Sequence, residues 1–403
     1  MNQIKTVDKA VVKHLSTYGL ALFLFLTPFE YPLADLMATS PLRIIGLLAM
    51  GLAVVDIALG RTFKVDYRVI YVVLWLGYGV VSYLWAVDRI RFQSYYSIYL
   101  NNALMFLLIS LISFTKYEIE ILKKSMIFGV GALLLYMTFI PGAVIYSEYQ
   151  NRLTLNAGTE GLDQNYLAAL MLISFGIVFY NLCNLQQKKI YKILSIIFCV
   201  SIGYYIILTG SRSGLIAVVL IVLLCINTSW KTRLFIGIPI IILILVVLPL
   251  VAQHIPEELM ERFTLDALMG KEDESATRLL IWGRALSSIK DFKWVFGSGV
   301  GASQTIVGNI IGMGKDMAIH NHYLAMLVEV GIIGLILITT PIFKMILKVR
   351  RNDKCVAIAF CGILLMSFFI DVLTTKFFWA AMILLSVCCS VHKDDSDKGG
   401  IKE

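Results

Sequence analysis

One arginine stands where it could bind a phosphate group. Arg212 lies in the stretch "TGSRSG" (209–214), between two long apolar runs. A helix that begins directly after Arg212 would direct its free N–H groups and the positive end of its dipole at the same spot. Ser211 or Ser213 can cap that helix while the other donates a hydrogen bond, and a guanidinium matches phosphate oxygens. The stretch therefore predicts an anion site of the phosphate class.

A second arginine precedes a tryptophan at helical spacing. In "ATRLLIWGRALSS", Arg278, Trp282 and Ala285 share one face of a helix, whereas Arg284 points well away from it. We therefore expect Arg278, and not Arg284, to face a common site. An amphipathic helix lying on a membrane, anchored by Trp282, explains the pattern equally well.

Two histidines in "HNHYL" (320–324) could accept a proton near neutral pH. His320 and His322 are two residues apart, so on a helix they face opposite ways, and at most one serves a single site. His322 shares a helix face with Glu329, which makes an intramembrane pair the alternative for that histidine. A metal site is not favoured, because no clear third ligand follows the His-x-His pattern.

Polar residues also open a later apolar run. Asp163 and Asn165 in "GLDQNYLAAL" can cap a helix that begins there, and Asn165 could in addition line a polar cavity.

Composition identifies the elements that must position these residues. The chain has 403 residues, of which 59% are hydrophobic and 15% charged, with a mean hydropathy of +0.81. Soluble domains carry about a quarter charged residues, and the apolar runs here have the length that a bilayer core of about 30 Å requires. We predict an all-α polytopic membrane protein of about twelve helices, at 15–32, 41–60, 69–86, 97–114, 125–146, 164–185, 193–209, 214–229, 234–252, 321–346, 355–371 and 377–391.

The charge distribution predicts the orientation of these helices. The net charge of +8 does not indicate a nucleic-acid partner, because most lysines and arginines cluster in short loops between apolar runs. Such loops stay in the cytoplasm, so both termini are expected there. The opposite side then holds the TGSRSG stretch and one long loop, 253–320, which we expect to contain two or three short helices. No separate domain is predicted within 1–403.

Together these motifs resemble the O-antigen ligase and O-antigen polymerase superfamily of bacterial membrane glycosyltransferases. The matching pieces are "LTGSRSG" (208–214), Arg278-x-x-x-Trp282, "GSGVG" (297–301), "HNHYL" continuing into "EVGIIG" (329–334), "DQNYLA" (163–168) and "SYLWAVDR" (82–89). Gln164 stands where the family usually has proline. The specific part of the resemblance covers about 160–335.

The resemblance implies a GT-C-like fold and an inverting, metal-independent transferase without cofactors, with its active site on the periplasmic face of the bacterial inner membrane. The donor would be a glycan on undecaprenyl diphosphate, and the acceptor a sugar hydroxyl. Arg212 and Arg278, with Ser211 and Ser213, would bind the diphosphate, and His320 would be the general base, with His322 as the alternative. Further candidates for substrate contacts are Asn165, Arg89, Arg152, Asn321 and Tyr323.

The resemblance leaves the acceptor open. A ligase would transfer the glycan to lipid A-core, which is heavily phosphorylated and calls for a basic outer surface. Segment 253–320 carries seven Lys or Arg against a similar number of acids, which favours a polymerase that joins lipid-linked repeats. A chain-length regulator protein is a conceivable partner of a polymerase. A transporter of lipid-linked sugar is a more distant alternative, disfavoured because the unusual polar residues collect at one face and not along a path through the membrane.

Overall fold

A computed structural model describes residues 14–36, 40–147, 151–156, 162–226, 274–311 and 318–390. The helix predicted at 234–252 and the first part of the predicted loop, 253–273, lie outside the described residues. The described part is mainly helical. Six of its helices are long and apolar enough to cross a membrane, as expected for an α-helical membrane protein.

Fifteen helices are described, together with one small β-ribbon. They are α1 (Leu15–Leu26), α2 (Glu30–Leu36), α3 (Pro41–Ala58), α4 (Tyr67–Val81), α5 (Arg89–Leu111), α6 (Lys116–Phe139), α7 (Gln164–Asn184), α8 (Lys189–Leu208), α9 (Arg212–Cys225), α10 (Glu274–Ser288), α11 (Lys293–Phe296), α12 (Ala302–Ile311), α13 (His322–Asn352), α14 (Lys354–Met366) and α15 (Lys376–Cys389). Short 3-10 turns extend α1 (Thr27–Phe29) and α4 (Ser82–Trp85). The ribbon pairs β1 (Val144–Tyr146) with β2 (Leu153–Leu155) in antiparallel register.

Two helices begin earlier than their apolar runs suggest, because polar caps start them. Asp88 accepts a hydrogen bond from the Arg91 N–H at 2.9 Å, so α5 begins at residue 89 and not at 97. Thr115 and Glu118 form a reciprocal capping box that starts α6 at residue 116 and not at 125. The same helix ends at Phe139, before Pro141 and Gly142, where the sequence analysis had extended it to 146 through what is strand β1.

Helix α15 lies at the centre of the bundle. Its residues from 377 to 389 are all buried, and it packs against α5, α6, α7, α13 and α14. A helix that is apolar on every side needs this enclosed position. Helix α15 has 14 residues and is about 21 Å long, and α14 is slightly shorter, with 13 residues.

An irregular segment, 367–375, connects these two short helices. Two backbone carbonyls of this segment accept hydrogen bonds from side chains. Trp379 Nε1 donates to the Leu373 carbonyl at 2.8 Å, and the Thr375 hydroxyl donates to the Val372 carbonyl at 2.7 Å. Within a membrane, non-helical backbone is tolerated only where protein surrounds it or where it lines a cavity. The segment is therefore a place to look for function.

Helix α13 contains a break that receives a glycine-rich loop. Gly331 has a φ of 62° inside the helix, and Gly297 in "GSGVG" has a φ of 75°. A side chain on either glycine would overlap the backbone of the segment that contains the other glycine, because its Cβ would lie 2.2–2.3 Å from a carbonyl oxygen there. The N–H groups of Ser298 and Gly299 donate to the Glu329 carbonyl at 3.1 and 2.8 Å, which satisfies a carbonyl freed by the break.

Helices α10 and α12 share a small core of their own with the start of α13. Ile281 and Ala285 of α10, and Ile289 directly after it, are buried against Val307 of α12 and Leu324 of α13. This core fixes one face of α10 and leaves Arg284, on another face, exposed.

A buried ionic network joins α1, the end of α3 and the start of α6. The Arg61 guanidinium contacts the carboxylates of Glu118 at 3.0 Å and Asp56 at 3.5 Å and lies over the Phe114 ring at 4.4 Å. The Ser16 hydroxyl donates to Asp56 at 2.5 Å. A cation that balances two buried carboxylates is costly to remove, because each acid is then left without its partner.

We expect Arg61→Leu to destabilise the protein by about 3–5 kcal/mol, the usual cost of breaking a buried ion pair. The readout is the unfolding midpoint of the purified protein in detergent. Lys64→Leu is the matched control, since Lys64 is exposed in the same loop. Equal midpoints for the two variants would show that the network contributes nothing to stability.

Candidate functional site

The TGSRSG stretch forms a tight turn between α8 and α9. Gly210 has a φ of 62°, and α9 begins at Arg212, as the sequence predicts. Ser211 is the N-cap, and its Oγ accepts from the Gly214 N–H at 3.1 Å. Ser211 and Ser213 are buried with their hydroxyl oxygens 3.3 Å apart, and Arg212 is half-buried. The turn thus brings two hydroxyls together at a helix N-terminus whose first residue is Arg212.

The β-ribbon brings a second arginine to this turn. Arg152 directly precedes β2 and is buried, and its Nε donates to the Thr209 carbonyl at 2.8 Å. Arg152 therefore reaches the residue three positions before Arg212. Apolar sequence patterns give no sign of this pairing, because the two residues are far apart in the chain and a short ribbon joins them.

The turn also contacts the start of α7. The Ser211 hydroxyl donates to Asn165 Oδ1 at 2.8 Å, and Asn165 is buried. Asp163 caps α7 by accepting from the Asn165 N–H at 2.8 Å. The two residues thus have different roles. Asp163 caps α7, and Asn165 belongs to the buried polar group around Ser211.

A further chain of contacts leads from α7 to the start of α13. The Tyr166 hydroxyl donates to the Asp371 carbonyl at 2.8 Å, and the Asp371 carboxylate lies 3.3 Å from His322 Nδ1. The His322 N–H donates to the Ser367 carbonyl at 2.8 Å. The irregular segment 367–375 therefore holds the HNHYL motif beside the start of α7.

Asp371 is a site residue that the sequence motifs do not identify. The available signal is an acid in the apolar run "SFFIDVLTTKFFW", because ionisable residues inside membrane runs mark functional sites by default. The helix predicted at 355–371 ends at Asp371 and gives this residue no partner. The structure also corrects the alternative for His322, which pairs with Asp371, whereas Glu329 accepts from the Ser303 hydroxyl at 2.6 Å. Glu329 therefore faces α12.

The two histidines occupy different environments. His322 is buried in the first turn of α13, whereas His320 is half-buried in the preceding loop with a φ of 52°. Left-handed backbone is uncommon for residues other than glycine and costs about 1–2 kcal/mol. Asn321 caps α13 by accepting from the Leu324 N–H at 3.0 Å, and the Tyr323 hydroxyl donates to the Leu364 carbonyl at 2.9 Å.

Helix α10 is tied to the same loop. Trp282 Nε1 donates to the Ile319 carbonyl at 2.9 Å, directly before His320. Arg278 lies one turn before Trp282 and is half-buried, while Arg284 is exposed. Arg278 is therefore on the helix that contacts the His320 loop.

Arg89 lies at the start of α5, exposed, with its guanidinium 5.4 Å from the Tyr83 ring centre. The described contacts connect this region to the GSGVG loop, since the Val87 N–H donates to the Ser298 carbonyl at 3.0 Å. Next to it, the Arg91 N–H and the Thr305 hydroxyl hold the pKa of Asp88 below its usual range. No described contact brings Arg89 to the TGSRSG turn.

The arrangement can bind an anion and move a proton. The turn supplies N–H groups, hydroxyls and Arg212, with Arg152 adjoining, and the α13 start supplies two histidines, one of them beside a carboxylate that can orient its ring.

Comparison with known proteins identifies one family that matches part of the chain. None of the curated proteins matches the chain. Residues 196–339 match the family model described as O-antigen ligase, a span that contains the TGSRSG turn, Arg278 and the HNHYL motif. Over this span the match supports the resemblance of the chain to the O-antigen ligase and O-antigen polymerase superfamily.

Proposed function

We propose that the protein is an inverting glycosyltransferase that transfers a glycan from undecaprenyl diphosphate to the hydroxyl of an acceptor sugar. The reaction would take place at the periplasmic face of the bacterial inner membrane. The family match supports a glycosyltransferase that acts on lipid-linked glycans. The observation that carries the proposal is that Arg152 and Arg212 both lie at a buried, serine-capped helix N-terminus, where an anionic leaving group would be stabilised.

At the anomeric carbon the proposed step forms one bond and breaks one, and the proton of the acceptor hydroxyl passes to the general base. The acceptor hydroxyl oxygen attacks the anomeric carbon, the bond from that carbon to the diphosphate oxygen breaks, and the electron pair leaves with the diphosphate. Charge on that oxygen grows as the bond breaks, and fixed cationic donors in a site without water stabilise it most. Arg212 and Arg278, with Ser211 and Ser213, take this role, and Arg152 is a third candidate. The glycan is already activated, so the reaction needs no metal ion, and unchanged activity in EDTA would support this.

We assign the general base to His320. Its strained backbone supports the assignment, since strained residues concentrate at functional sites. His322 is then a positioning residue, held by Asp371, and remains the alternative base. Asn321 and Tyr323 are neighbours of the histidines in the chain, and Asn165 contacts Ser211, so these three residues are candidates for substrate contacts. Arg89 stays a weaker candidate.

We expect Arg212→Ala and Arg278→Ala each to lower the transfer rate by about 10²–10³-fold, the usual effect of removing one donor to a developing oxyanion. The assay follows lipid-linked repeat units converted to longer glycan by the purified protein. Arg284→Ala is the control for Arg278→Ala, because Arg284 is exposed on the same helix. Comparable losses in all three variants would contradict the assignment.

One substitution of His320 tests both its backbone strain and its proposed role as the general base. We expect His320→Gly to unfold at a higher temperature than wild type, because glycine accepts a φ of 52°, and to lose about 10²–10⁴-fold in rate, because the base is gone. His322→Gln and Asp371→Asn should keep measurable activity. Full activity in His320→Gly, with inactive His322→Gln and Asp371→Asn, would transfer the base role to His322.

A polymerase and a ligase differ in the acceptor of the glycan. The similar numbers of basic and acidic residues in 253–320 favour a polymerase, because lipid A-core is strongly anionic. Deletion of the gene should then leave lipopolysaccharide that carries a single repeat unit. If the deletion strain instead lacks all glycan on lipid A-core while lipid-linked polymer accumulates, the protein is a ligase.

A further inference from the structure

A cavity of about 430 Å³ lies between α1–α3, α5 and α15, separate from the residues of the TGSRSG turn. Its size falls in the usual range of ligand pockets, about 300–1,000 Å³. We call it the lateral slot and define it by Arg43 and Gly46 of α3, Asn101 and Met105 of α5, and Lys376 and Ile383 of α15.

The lateral slot is cationic at one end and apolar at the other. Arg43 and Lys376 are in the first turns of α3 and α15, and Met50 and Ile383 lie seven residues further along the same helices, about 10 Å away. Lys376 forms an ion pair with Glu30. Arg43 also attracts the Glu30 carboxylate, so among the described side chains that line this end two cations face one anion. A lipid with an anionic headgroup has the complementary shape and charge.

Two amides form part of the wall. Asn101 and Asn102 lie in the middle of α5, and neither side chain has a hydrogen-bond partner within the described part of the chain. Ser97, one turn before Asn101, lines the same wall. Amides that face hydrocarbon without a partner are costly, and such residues in membrane helices mark substrate paths. The amide N–H groups can donate to phosphate or sugar oxygens, which an acyl chain does not offer.

The lateral slot adjoins the candidate site through the irregular segment 367–375. Asp371 contacts His322 in the site, and Lys376, five residues later, lines the slot. Five residues span at most about 17 Å. A headgroup at the cationic end is therefore close enough for an attached sugar to reach the histidines.

We propose that the lateral slot binds the acceptor of the transfer reaction: a lipid with a single isoprenoid chain and a phosphate-class headgroup that carries the attacking sugar. This rests on the proposed function. The cavity volume of about 430 Å³ is at the small end of the usual range for ligand pockets, which suits the first part of one chain and not the several acyl chains of a lipid A anchor. The acceptor is then a second lipid-linked saccharide, as a polymerase requires.

Binding can be tested without turnover. The full-length protein in lipid nanodiscs is photolabelled with undecaprenyl phosphate that carries a diazirine on its chain, and labelled peptides are mapped by mass spectrometry. We expect labels on α3 around Met50 and on α5 around Met105. Gly46→Leu should fill the slot and lower this labelling about tenfold; a Cβ at Gly46 lies 3.6 Å from its nearest neighbours, an ordinary contact. Gly51→Leu on the same helix, where a Cβ meets nothing within 4 Å, should label like wild type.

The headgroup is tested by a second variant and a competitor. Arg43→Ala should raise the probe concentration for half-maximal labelling about tenfold, as expected when a charge-assisted hydrogen bond is lost. Asn101→Leu, at an exposed position, should weaken labelling in the same direction and serves if Gly46→Leu does not fold. Lipid-linked repeat should compete with the probe, and phosphatidylglycerol at the same concentration should not.

The outcomes separate the slot from the proposed function. Absent labels on α3 and α5, or equal competition by phosphatidylglycerol, would overturn the slot as an isoprenoid-lipid site. Normal polymer formation by a folded Gly46→Leu protein would overturn the acceptor role. Slot labelling by a protein that makes no glycan product from any acceptor would reject the proposed glycosyltransferase and retain the lipid site.

Discussion

The contacts of Asp371 hold the candidate site together. Its carbonyl receives the Tyr166 hydroxyl from α7, and its carboxylate lies beside His322 at the start of α13. Asp371 can reach both because the chain between α14 and α15 is not helical. A continuous helix would direct the carbonyl along its own axis to a residue four positions later. The departure from regular structure is thus what allows one residue to bind two helices.

Much of the framework could be predicted from the sequence, because bilayer spans impose long apolar runs whose ends are polar. The turn at Gly210 and the start of α9 at Arg212 were predicted from local chemistry alone, and so was the separation of Arg278 from Arg284 on α10. These features depend on residues that are neighbours in the chain. Periodicity and capping preferences describe such neighbours well.

The remaining features depend on partners that are distant in the chain. The break in α13 requires the GSGVG loop, about 30 residues earlier, to donate its N–H groups. Arg152 joins the turn through a two-stranded ribbon, of which only the first strand falls within the helix predicted at 125–146. Asp371 lies in a segment whose composition is that of a membrane helix. In each case a long-range hydrogen bond overrides the local preference, and a single sequence does not show such bonds.

The enclosed position of α15 has a consequence for biogenesis. A chain leaves the ribosome from its N-terminal end, so the helices that surround α15 enter the membrane before it. Until α15 arrives, their inner faces have only lipid or one another to contact, and segment 367–375 cannot yet hold His322. Assembly of the candidate site therefore depends on the arrival of α15. A chain interrupted before residue 376 would lack the contact of Trp379 with the Leu373 carbonyl, and segment 367–375 would have no enclosing helix to pack against.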